Sequence, residues 1–146
     1  MTKFIHLRTH TEYTLCSGAI KVKKFVGYLK EHKIPATTMT DRHVMFGVLE
    51  FSLACMKEGI QPIIGCETVL NINELVYGKD KKFFSKDEEI NSFAKVILIA
   101  QTDEGYLNLM SLISNSYLNR EEGVIPHVNL EDLLKKKNGL IILSGS

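Results

Sequence analysis

Several features are missing from this sequence, and each absence removes a class of protein. No stretch approaches the ~20 consecutive apolar residues of a membrane-spanning helix, so no membrane span is expected. Neither charge sign is in excess: 18 Lys and Arg against 17 Asp and Glu leave a net charge of +1. That balance gives none of the basic field by which a nucleic-acid binder announces itself, so any role on DNA must come from context. Cysteine is scarce, and Cys16, Cys55 and Cys66 include no C-x-x-C pair. The odd count, with no signal peptide ahead of it, points to reduced thiols in a cytoplasmic setting. None of the three has a histidine partner in sequence, so all read as core thiols and not nucleophiles. There is no P-loop and no G-x-G-x-x-G, and no internal repeat, low-complexity tract or interdomain linker.

What remains is an ordinary globular chain. Its 146 residues suffice for one domain with a real core, and 45% hydrophobic with 24% charged residues is a normal balance. The first strand begins within a few residues of Met1, which reads as a natural start. In that strand, residues 3–9, a period of two sets Phe4, His6, Arg8 and His10 on one side and Ile5, Leu7 and Thr9 on the other. Histidines two apart on a strand project the same way, which suits two ligands for one metal. A catalytic metal would also need carboxylates arriving from other strands.

A loop over 12–19 follows, with Gly18 where tight backbone geometry is expected. The spacing of Val22, Phe25, Val26 and Leu29 predicts a helix over 21–32, ended by Pro35. Residues 36–40 read as a second strand. Residues 46–57 read as a helix facing the core with Val48, Phe51, Ser52 and Cys55, stopped by Gly59. Residues 62–70 read as a third strand. Residues 71–92 change character: charged, aperiodic runs surround Phe83 and Phe84, which fits a solvated loop or an excursion with hairpin character. An apolar strand over 94–100 is followed by a helix over 104–118 with Asp103 as its cap. A short helix over 128–134 has Asn129 as a possible cap and Lys135, Lys136 and Lys137 at its C-terminal end, a solvated patch that suits the dipole. The last strand covers 140–143.

The order β-α-β-α-β-loop-β-α-α-β implies parallel strands in an α/β fold. Sites in such folds gather at the carboxyl ends of the strands. Arg8 and His10, Asp41 and Arg42, Glu67, and residues 144–146 fall there. Lys95 is the exception, near the start of its strand.

These residues carry a family likeness. Residues 4–13 with Ser17 and Gly18, Thr40-Asp41 followed by Phe46-Gly47, residues 59–67, residues 105–109 and residues 139–145 are five motifs in order. Together they resemble the amino-terminal PHP (polymerase and histidinol phosphatase) domain of bacterial DNA polymerase III alpha subunits. The resemblance implies a distorted (β/α)7 barrel. It also implies, in metal-binding members, a trinuclear site, usually zinc, for phosphoester hydrolysis. It implies a much longer polymerase, so the chain reads as an incomplete N-terminal portion of one domain, with about five strands. The partners implied are the rest of the alpha chain, the proofreading exonuclease subunit, and DNA through the parent polymerase, whose own chemistry uses magnesium.

The resemblance also supplies a ligand set. His10 and Glu67 keep a ligand type. Arg8 stands where a histidine is expected, Ser17 for an aspartate, Arg42 for the histidine after Asp41, Lys95 for a histidine, and Ser146 for a cysteine or histidine. A guanidinium has no lone pair to offer and stays charged, so Arg8 and Arg42 would repel a divalent ion. His6, two residues back on the strand, and His43, one position past the expected ligand, do not restore the set. The expectation is a vestigial site without metal, in which Arg8 or Arg42 pairs with Glu67 or Asp41. Two alternatives stay open: arginines that reach solvent over a wet cleft, and a working zinc- or manganese-dependent 3′–5′ exonuclease or phosphoesterase. A free-standing small hydrolase is a third, weaker reading. An incomplete barrel leaves a strand edge unpaired, so self-association or mobile ends are also expected.

Overall fold

A computed structural model describes residues 4–72, 93–120 and 122–144. The elements in chain order are α1 (Val22–Glu31), β1 (Ala36–Met39), α2 (Val48–Lys57), β2 (Gln61–Asn71), β3 (Phe93–Ala100), α3 (Asp103–Leu118), β4 (Val128–Asn129), α4 (Leu130–Lys135) and β5 (Leu140–Ser144). The chain is a mixed α/β fold around a five-stranded sheet, ordered β1-β2-β3-β5 with β4 beside β2. Most boundaries fall within two residues of those read from periodicity, because apolar spacing and the Pro and Gly stops act locally. Gly59, with φ of 68°, follows the end of α2 as the left-handed stop.

Three expectations are corrected. The first strand does not form. Residues 4–10 lie outside any strand, and this segment reaches the sheet through Thr9, whose backbone N–H donates to Thr40 Oγ1 at 2.9 Å and whose carbonyl accepts from Thr40 N at 2.8 Å. A side-chain hydroxyl thus takes the place of a ladder carbonyl. Phe4 and Leu7 are both exposed and Thr9 alone of residues 4–10 is buried, so the period of two marks no apolar buried face.

The strands are not all parallel. β1 and β4 run parallel to β2, but β3 runs antiparallel to β2 and to β5. One strand, β3, is therefore reversed against the other four. The parallel rule applies to strands joined by a helical crossover, and 71–92 had given no helical signal to support one. The reversal brings the start of β3 beside the carboxyl ends of β2 and β5, with Asn71 opposite Phe93 and Ser144 opposite Val96. Lys95, out of place on an all-parallel reading, thereby lies at the same end as the other polar positions. The reading of 71–92 otherwise falls largely outside the described residues.

The third correction concerns caps and a small strand. Thr102, not Asp103, caps α3, its hydroxyl accepting from Gly105 N at 3.1 Å. Val128 and Asn129, expected to open a helix, pair with Leu70 and Asn71. Asn129 does precede α4, without a side-chain capping bond.

The core has two parts. One packs α1 and α2 with β1 through Val22, Val26, Leu29, Met39, Phe51 and Cys55. The other packs α3 and α4 on the sheet through Cys66, Leu70, Leu98, Leu109, Leu112 and Leu133. Met45, between β1 and α2, touches both. On β2 the alternation of side chains puts Cys66 into the second core and turns Glu67 to the opposite face. Among the described residues no helix is long and apolar enough to cross a membrane.

Candidate functional site: a carboxylate cluster at the ends of the strands

Two buried carboxylates organise the site. Asp41 follows β1 and Glu67 lies on β2, and their backbones are joined: Glu67 N donates to the Asp41 carbonyl at 3.1 Å, and His43 N to the Glu67 carbonyl at 2.7 Å. Arg42 is thereby held in a parallel bridge with Glu67. This register, set by β1 on β2, brings the Arg42 side chain onto the carboxylate.

Glu67 is 3% exposed and accepts from three side chains. Arg8 Nε donates to Oε2 at 2.6 Å, Arg42 Nε donates to Oε1 at 2.7 Å, and His10 Nε2 lies 3.1 Å from Oε2. Both oxygens are thus engaged by guanidinium groups from different chain segments, with side chains 36% and 39% exposed. Burial alone would favour the neutral acid at Glu67. The hydrogen bonds from Arg8 and Arg42, with the nearby charge of His10 and Arg8, outweigh it and hold the carboxyl below the usual range.

Asp41 does not pair with an arginine. It accepts from Thr11 N at 2.5 Å, Thr11 Oγ1 at 2.6 Å and Thr14 Oγ1 at 2.6 Å, and is fully buried. Three short donors satisfy a buried carboxylate without a counter-ion beside it. Thr14 Oγ1 also accepts from Arg42 N at 3.2 Å, which ties the two carboxylate systems together. The close turn at Gly18 supports this arrangement: a Cβ there would fall 1.7 Å from the Thr11 carbonyl oxygen.

The remaining positions divide. Lys95 is exposed and lies opposite Val69, so it shares the face of Glu67 two residues along. Ser17 is exposed in the turn, where its backbone N–H donates to Thr14 O at 3.3 Å. Ser146 lies outside the described residues. His43, with φ of 59°, turns to Thr68 Oγ1 at 3.3 Å. Burial lowers its pKa; Glu67 opposes that shift and Arg42 adds to it. Cys66 donates its thiol to the Asp41 carbonyl, and burial first, then Asp41, pushes its pKa up to about 12. Cys55 is raised to about 11 by burial. Cys16 is exposed, which corrects its reading as a core thiol.

Thr11 and Thr14 were not singled out from the sequence. A buried aspartate at a strand end needs donors, and the hydroxyls of a Thr-x-x-Thr turn could have been proposed on that ground. Nothing in composition selects them from the other threonines.

The PHP domain family profile matches residues 6–146. The chain is 37% identical over 141 residues to the DNA polymerase III subunit alpha of Rickettsia prowazekii (strain Madrid E), covering 97% of this chain and 11% of that protein. It is 34% identical over 146 residues to the subunit alpha of Borreliella burgdorferi, covering 98% and 12%, and 36% over 143 residues to that of Helicobacter pylori, covering 97% and 11%. The chain therefore spans about a tenth of the length of these relatives. Among solved structures it is similar to an amidohydrolase from Chromobacterium violaceum with bound sulfate and no metal, at TM-score 0.48 and 14% identity over 76% of this chain and 34% of that one. A putative metal-dependent phosphoesterase from Bifidobacterium adolescentis gives 0.46 and 14% over 80% and 33%. With the family profile covering nearly its whole length, the chain belongs to the PHP domain family.

Proposed function

We propose that this chain is part of the PHP domain of a DNA polymerase III alpha-type replicative polymerase, and that it acts as a metal-free structural scaffold. The observation that carries the reading is the occupation of both Glu67 oxygens by Arg8 Nε and Arg42 Nε. A metal ligand must offer a lone pair, and a guanidinium offers none and repels the ion. His10 and Glu67 are adjacent donors, but among the described residues no three His, Cys, Asp or Glu side chains converge on one point. The residues present do not fit a multinuclear zinc or manganese centre. In this reading the cluster does structural work: Glu67 and Asp41 fasten residues 8–14, which form no strand of their own, to β1 and β2.

The length of the relatives supports a single domain fragment within a far longer chain. Nucleotidyl transfer, with its magnesium and its DNA, belongs in this reading to the parts of the polymerase outside these residues. The family resemblance suggests two protein partners, the rest of the alpha chain and a separate proofreading exonuclease, in a cytoplasmic setting.

The test measures bound metal by emission spectrometry after exposure to zinc and manganese, together with nucleotide release from single-stranded DNA. The expected result is less than one tightly held ion per chain and no release. One or more tightly bound ions per chain, with metal-dependent release that Glu67→Gln abolishes, would replace the scaffold by a working 3′–5′ exonuclease or phosphoesterase.

A further inference from the structure

We propose that residues 4–20 form a strap that lifts from the sheet as one cooperative unit while both cores stay folded, with Asp41 and Glu67 as its latch. The inference deepens the structural reading of the carboxylate cluster given above and rests on it.

Three observations carry it. The first is burial. Of residues 4–20 only Thr9, Thr11 and Thr14 are buried, and all three are polar. The large apolar side chains Phe4, Leu7 and Leu15 are 76%, 44% and 80% exposed. Tyr13 alone of this segment packs against a core, half-buried at the edge of the α1–α2 cluster. Apolar burial is the dominant favourable term in folding, while a hydrogen bond contributes modestly net. The strap lacks what holds the helices, and has little else to offset the conformational entropy lost when it is ordered.

The second is the attachment. Among the described residues one backbone–backbone bond joins the strap to the sheet, from Thr40 N to the Thr9 carbonyl at 2.8 Å. The other bonds across the seam use side chains. Thr11 N, Thr11 Oγ1 and Thr14 Oγ1 donate to Asp41, and Arg8 Nε donates to Glu67. Thr9 N donates to Thr40 Oγ1, Arg42 N to Thr14 Oγ1, and Tyr13 Oη to Glu50.

The third is that the strap is bonded to itself. Thr11 bridges Ile20, Glu12 N donates to the Ile20 carbonyl at 2.9 Å, and Gly18 N donates to the Thr14 carbonyl at 2.8 Å. Val22, which opens α1, is fully buried in the core. The division between strap and folded body therefore falls just ahead of α1. A segment closed on itself and fastened mainly at two carboxylates opens as a unit, because its internal bonds survive when the latch lets go.

Native-state hydrogen exchange of the full chain in low urea reads this directly, because four amides donate across the seam. Thr9 and Thr11 lie on the strap, and Thr40 and Arg42 on the sheet side. The four should share one opening equilibrium, with protection at least about tenfold below that of Leu98 and Leu112 and a weaker urea dependence. Thr40 and Arg42 are the decisive pair, since they follow a buried strand yet should exchange with the strap. Arg8→Met should speed all four together by roughly tenfold. Ile113→Val, a mild deletion in the α3 core, should speed Leu98 and Leu112 and leave the four unchanged. Protection of the four equal to that of the core, four unrelated rates, no response to Arg8→Met, or acceleration of the four by Ile113→Val would each overturn the strap. Those results would leave the metal-free reading standing, because bound metal is scored separately by emission spectrometry.

Discussion

Arg8 and Arg42 share one buried carboxylate, so their contributions to stability should be coupled, and the coupling can be estimated. Replacing Arg8 by Met leaves Glu67 with Arg42 and His10; replacing Arg42 leaves it with Arg8 and His10. Each single change removes one charge-assisted hydrogen bond. The bond is discounted because each arginine is more than a third exposed and can return to water, so about 1–2 kcal/mol is expected. The double change leaves a carboxylate that is 3% exposed facing His10 alone. Breaking a buried pair costs about 3–5 kcal/mol when the remaining charge has no compensation. The double variant should therefore lose about 1 kcal/mol more than the sum of the singles. Urea unfolding with linear extrapolation resolves this if the slopes stay constant, and for a chain of this size each kcal/mol moves Tm by about 2–4 °C. Additivity within about 0.5 kcal/mol would mean that the arginines act independently and that Glu67 is not their common anchor.

Other predictions follow from the same geometry. Glu67 ionises below the ordinary carboxylate range in the folded chain, so its contribution is complete above the unfolded value of ~4.3 and is lost as pH falls through the folded value. Glu67→Gln should remove that part of the acid slope in a pH series of unfolding curves, and an unchanged slope would contradict the assignment. Thr11→Val deletes a hydroxyl donor to Asp41 and should cost about 1–3 kcal/mol by chemical denaturation, although valine keeps the shape. Gly27→Ala should stabilise the chain by roughly 0.5–1 kcal/mol, because nothing occupies the space a Cβ would fill. At pH 8 a thiol reagent should modify Cys16 rapidly and Cys55 and Cys66 only on unfolding, since burial holds the latter two at about 11 and about 12. Among the described residues β5 pairs with β3 alone, and Ile141 and Ile142 are exposed. Concentration-dependent self-association that Ile141→Lys reduces is expected in sedimentation velocity.

The amino-acid sequence by itself determined the elements and where they stop. The i, i+3, i+4 spacing in α1, the apolar run of β3 and the turns at Pro35 and Gly59 act over a few residues, so local chemistry is enough to locate them. It also determined the charges of Arg8, Arg42, Asp41 and Glu67, since side-chain charge is a property of composition, while the family resemblance is what implied that they share one site. Tertiary structure alone decided which carboxylate the arginines meet. The β1–β2 register sets Arg42 opposite Glu67, while the turn over 11–14 delivers hydroxyls to Asp41 and so satisfies it without a cation. Strand direction likewise lay beyond local pattern: an apolar run reads the same in either sense, and pairing with β2 and β5 is what reverses β3 and brings Lys95 to the face of Glu67. The alternation over residues 4–10 misled for the same reason. A period of two states which side chains could share a face, but only partners across space decide whether a strand forms there, and in this chain two carboxylates and a threonine hydroxyl hold the segment instead.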